Sequence, residues 1–202
     1  MAPHRLIYVP GIRAKPPPEV HLAVLAECLG EGIRRADPEL ARTLPAATEW
    51  LRLVAWGSLF YREHRDLALD RKAIDALLAA SAAGPAMPPE LRSWPYRLRY
   101  GSHLLGDRFP ALIALMAGPS TLFNIGETER YFANRDGEAD RIRAMVAEAL
   151  DEAWSAGARV LLMGHSLGSV IAYETLWELS HRPGGTGGAV DLFLTMGSPL
   201  GT

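Results

Sequence analysis

Five residues, Gly164-His165-Ser166-Leu167-Gly168, carry the clearest chemistry in this chain. A serine hydroxyl is a weak nucleophile until the backbone lifts it clear of its neighbours and a base takes its proton. The flanking sequence suits such a lift. Val160-Leu161-Leu162-Met163 is apolar and too short for a helix, so it reads as a buried strand, and 169–177 reads as a helix packed on a sheet. Strand, tight turn and helix around Gly-x-Ser-x-Gly form a nucleophile elbow. Gly164 and Gly168 then allow close backbone approach where a side chain would collide. With 19 glycines, this five-residue pattern arises by chance in about one such chain in ten. The strand before it and the helix after it therefore carry the argument. The competing reading is a glycine-rich strand-to-helix turn without chemistry.

An attacked carbonyl develops a negative oxygen, which needs hydrogen-bond donors already in place. In an elbow the backbone N–H of Leu167 is one. A second is expected from the loop after an earlier strand, and Pro10-Gly11-Ile12-Arg13 follows the first apolar run. Pro10 has no N–H, which leaves Ile12 or Gly11 as donor. Each such donor is worth roughly 2.7–4 kcal/mol in enzymes that use one. A plain turn is the alternative for this loop.

These segments together resemble the α/β-hydrolase family. Gly164-His165-Ser166-Leu167-Gly168 is similar to the elbow of lipases, esterases and related acyl hydrolases. Val9-Pro10-Gly11-Ile12 resembles the family's oxyanion loop, although many lipases have His-Gly where this chain has Pro10-Gly11. Thr195-Met196-Gly197-Ser198-Pro199-Leu200-Gly201 resembles the end of the strand after the elbow helix. The resemblance implies a serine hydrolase that cleaves a carboxylic ester, thioester or lipid acyl bond through an acyl-enzyme on Ser166. It implies no cofactor.

The family also needs an acid and then a histidine after the serine. Here the only histidine after Ser166 is His181 and the only aspartate is Asp191, in reversed order. His181 falls near the far end of the elbow helix, and Asp191 opens the last strand at the edge opposite the elbow. Both read as surface residues. Elbow geometry directs His165 away from the nucleophile, His4 and His21 belong to the first strand and helix, and His64 and His103 lie in irregular sequence. The acid and base are accordingly expected on sequence this chain lacks, making the fold C-terminally incomplete. A catalytically incomplete binding or interaction domain that retains the elbow is the alternative.

The elements that must position these residues follow from periodicity. Leu6 to Val9 reads as a strand closed by Pro10-Gly11. Pro16-Pro17-Pro18 leads into a helix with Leu22, Leu25, Leu29 and Ile33 on one face, ended by Asp37-Pro38. Trp50 to Trp56 reads as a second strand, and Asp70 as the cap of a helix bearing Ile74, Leu77 and Leu78. A short apolar helix is expected over 109–117. The strongest helix is Glu138 to Trp154, with Ile142, Met145, Val146, Ala149, Leu150 and Ala153 in one stripe. After the turn Gly184-Gly185-Thr186-Gly187-Gly188, Val190 to Met196 reads as a fourth strand. Helices alternating with short apolar strands predict an α/β fold, a mostly parallel sheet with helices on both faces. A single domain spans 1–202, with 58–130 as either a lid or a helical layer over the sheet.

Composition bounds the rest. The 202 residues are 49% apolar and 22% charged, with a net charge of −2, which excludes the basic surface a nucleic-acid partner requires. Cys28 is the single cysteine, so no internal disulfide or cysteine metal cluster forms, and the histidines lack metal-ligand spacing. The N-terminus passes directly into a strand-length run, and no apolar window reaches the roughly 18 residues of a membrane span. A cytoplasmic protein acting on a small-molecule or lipid acyl ester is the expectation.

Overall fold

Among the described residues four strands, β1 (His4–Val9), β2 (Leu51–Leu53), β3 (Arg159–His165) and β4 (Leu192–Met196), pair in parallel in the spatial order β2-β1-β3-β4. The computed structural model describes residues 3–80, 119–183, 187–198 and 200, with backbone alone for 119–125. The segment 81–118 lies outside the described residues. It contains His103, the aromatic and arginine residues from Trp94 to Tyr100 and the helix expected over 109–117.

Strand β1 is followed by α1 (Pro18–Ala36), α2 (Pro38–Thr43) and α3 (Ala47–Trp50). Between β2 and β3 come α4 (Gly57–Phe60), α5 (Ala68–Ala79), α6 (Pro119–Ala133), a 3-10 turn at Arg135–Gly137, and α7 (Glu138–Ser155). Helix α8 (Leu167–Ser180) joins β3 to β4.

Alternate side chains of a strand leave on opposite faces, and β1 shows what covers each. Ile7 and Val9 are fully buried in one cluster with Ile142, Val146 and Leu150 of α7 and Ile171 of α8. Tyr8, on the other face, meets His21 of α1 edge to face at 6.3 Å between ring centroids. Helices thus lie on both faces of an all-parallel sheet. The stripe on α7 is buried as the periodicity predicts, Met145 only partly. Each fully buried Ile, Val or Leu contributes about 1.5–3 kcal/mol. The face of α1 is only half-buried, because that helix packs on β2, α2 and α5 and covers one side of the sheet.

Four expectations need correction. The strand predicted over Trp50–Trp56 is only Leu51–Leu53: Trp50 ends a helical turn, and Trp56 folds back so that its N–H reaches the Val54 carbonyl at 2.9 Å. That fold buries the Trp56 indole completely and aims it at the loop after β1. Asp70 caps nothing; it lies in the first turn of α5, paired with Arg65, while the Asp66 carboxylate accepts the Ala68 N–H. Leu77 of the same helix is 60% exposed. Asp37, expected only to end α1, also caps α2 by accepting the N–H groups of Glu39 and Leu40. The fourth strand starts at Leu192, two residues later than predicted.

Candidate active site at the carboxyl ends of the strands

After β1 the chain crosses to β2 on one side, and after β3 it crosses to β4 on the other. The two connections part between β1 and β3, the topological switch at which ligands of open parallel sheets bind. The loop 10–13 and Ser166 follow the two flanking strands, so the topology alone brings the expected donor loop to the expected nucleophile.

Ser166 links β3 to α8 with φ 52° and ψ −127°. That left-handed geometry costs a serine about 1–3 kcal/mol and persists only where neighbours hold it. The holding contacts are specific. The Ser166 N–H donates to the Met196 carbonyl at 2.8 Å, which extends the β3–β4 pairing by one residue. The Ser166 carbonyl accepts the Ser169 N–H at 2.9 Å, and the buried Ser169 hydroxyl donates to the Gly164 carbonyl at 3.0 Å.

Glycines supply the close packing around it. A methyl on Gly168 would lie 2.2 Å from the Val9 carbonyl oxygen, and one on Gly164 would lie 2.6 Å from the Ser169 Cα. A methyl on Gly11 would lie 2.9 Å from the Ser166 Cβ and 3.0 Å from the His165 carbonyl. The loop after β1 therefore rests directly on the elbow. Leu167 is the first residue of α8, where N–H groups have no intrahelical partner and the helix dipole favours negative charge.

Ile12 and Gly11 are both buried beside the elbow. The Arg13 N–H is taken by the Tyr61 hydroxyl at 2.8 Å, which leaves the Gly11 and Ile12 amides as the donors on offer from this loop. Lys15 is half-buried and donates from Nζ to the Ile12 carbonyl at 2.9 Å. Burial, then the Arg13 and Arg65 charges, pushes its ammonium pKa down. The ring of exposed His165 sits between Gly11 and Gly197; partial desolvation, then the Lys15 charge, holds its pKa below the usual histidine value.

Among the described residues, neither the other histidines nor Asp191 hydrogen-bonds Ser166. His4 is exposed at the start of β1. His181 follows α8 and stacks on Trp177 at 4.3 Å. The Asp191 carboxylate accepts the Val160 N–H at 2.8 Å and pairs with Arg159, both at the amino end of β3. His21 and exposed His64 line a small cleft with Lys15 and Tyr61. Among the described residues no side chain hydrogen-bonds the Ser166 hydroxyl, and no three metal-ligating side chains converge.

Sequence reasoning missed the residues that hold the loop after β1. Trp56 Nε1 donates to the Pro10 carbonyl at 2.8 Å, Tyr61 takes the Arg13 amide, and the Arg65 N–H donates to the Lys15 carbonyl at 3.0 Å. All three come from the stretch after β2, where no periodicity marks them. The proline and glycine of the loop were the only available signal. No helix of the described residues is long and apolar enough to cross a membrane. Comparison with protein-family models, with curated proteins and with solved structures finds no match to this chain.

Proposed function

We propose that this chain is a serine hydrolase of α/β-hydrolase type, acting on a carboxylic ester, thioester or lipid acyl group. The Ser166 hydroxyl oxygen attacks the carbonyl carbon, and the new oxyanion is received by the N–H of Leu167 and that of Ile12 or Gly11. A base outside the described residues carries the Ser166 proton to the departing alcohol or thiol and then activates the water that releases the acyl group from Ser166. What carries the reading is the left-handed Ser166 backbone with Gly11 packed against it. Strain of this kind has no packing benefit of its own and clusters at functional sites.

A second reading is favoured by one observation, that no described side chain contacts the Ser166 hydroxyl. A domain with the elbow but no base would bind an acyl ligand without turning it over. Hydrolysis of p-nitrophenyl esters of graded acyl length separates the two. A hydrolase releases p-nitrophenol in a way that Ser166→Ala abolishes. Release at the wild-type rate by Ser166→Ala removes the nucleophile, and no release by either chain favours the binding domain.

A further inference from the structure

We propose that Tyr61 is a positioning residue for the donor loop, fixing the Gly11 and Ile12 amides through Arg13 while Glu127 orients its phenol. The inference rests on the nucleophile reading and adds to it the group that sets the oxyanion site.

Arg13 has φ 80°, a left-handed conformation that disfavours any side-chain-bearing residue. Such a residue must be held from outside. The Tyr61 hydroxyl accepts the Arg13 N–H at 2.8 Å and donates its own proton to Glu127 Oε2 at 2.8 Å. The phenol is thereby saturated in one sense only, donor to the carboxylate and acceptor from the amide. Burial raises the Tyr61 pKa above the ordinary phenol value; the Arg13 amide opposes that rise and the Glu127 carboxylate adds to it.

The helix that carries Glu127 is itself anchored. One turn along α6, Arg130 donates to the Phe60 carbonyl at 3.0 Å, lies over the Phe60 ring at 4.1 Å, and pairs with Glu138 at 2.6 Å. A continuous line of contacts runs from α6 through Tyr61 to the amide next to the two candidate donors. Trp56 and Lys15 hold the same loop at Pro10 and Ile12, but neither touches the strained residue's amide.

The test uses the whole chain. Tyr61→Phe keeps the ring and removes only the hydroxyl. It should speed amide exchange at Arg13 and slow labelling of Ser166 by a fluorophosphonate about threefold to tenfold, the equivalent of one lost hydrogen bond. Glu127→Gln keeps an acceptor for the phenol and should stay near wild type in both readouts. Should Tyr61→Phe fail to fold, Glu127→Ala, which removes the acceptor, must show the same paired change. A Tyr61→Phe chain that labels at the wild-type rate, or keeps Arg13 protected, overturns the proposal. So does a lower melting temperature with no change in labelling, since that is a structural role only. Wild-type chain that takes no probe contradicts the nucleophile reading instead, and the exchange measurement then decides the clamp by itself.

Discussion

Gly11 sits so close to Ser166 that no side chain fits at position 11 without displacing one of the two. The methyl of Gly11→Ala would fall 2.9 Å from the Ser166 Cβ and 3.0 Å from a backbone oxygen, distances that force the loop outward. We expect this variant to lose about 1–3 kcal/mol of stability, as overpacked sites do, and to label with a fluorophosphonate at least about tenfold more slowly. Urea unfolding and labelling rate, measured together, check it. The outcome that counts against it is wild-type labelling in a destabilised chain. Ile12→Pro removes one N–H from the same loop. If that amide receives the oxyanion, ester turnover should fall about 10²–10³-fold. Full activity would assign the second donor to Gly11.

At the scale of elements, the elbow depends on how closely α8 approaches β1. A methyl on Gly168 would enter the Val9 carbonyl at 2.2 Å, and backbone on both sides leaves nothing to rotate away. Gly168→Ala should therefore destabilise the chain by about 3 kcal/mol or more, the upper end for overpacking. A thermal midpoint within about 2 °C of wild type would contradict that packing. The strands β1 and β3 and the helix α7 were legible, the strands as short apolar runs and the helix from its clean period. The stretch 50–65 was not. Its role is to turn Trp56, Tyr61 and Arg65 back onto the 10–15 loop, and contacts between residues 46 to 50 positions apart leave no local pattern. Trp50–Trp56 read as a strand because its composition is that of one; the inward turn at Trp56 answers to tertiary contact with Pro10. Asp70 looked like a cap from residue type alone, and Arg65 claims it instead.

Across the whole molecule, the half-buried groups set how stability responds to acid. His21 packs against Tyr8, and burial, then the nearby Lys15 charge, lowers its pKa from 6.5 to about 4. The unfolded chain takes up this proton near pH 6.5 and the folded chain only near 4, so stability falls as pH drops through that window. His21→Phe keeps a ring against Tyr8 and should show a shallower loss between pH 6.5 and 4 in urea unfolding; parallel curves would contradict the assignment. Glu31 is a separate case. Its hydrogen bonds to Arg34 and Arg35 lower its pKa from 4.5 to about 2, so its contribution is lost as pH falls between those values, overlapping only the acid end of the His21 window. The proposed reaction turns on the Ser166 hydroxyl oxygen, and the intact mass of the wild-type chain and of Ser166→Ala after exposure to a fluorophosphonate tests it. A hydrolase gives a single adduct on the wild type and none on the variant. A folded wild-type chain that stays unmodified, or an adduct that survives in Ser166→Ala, would contradict it.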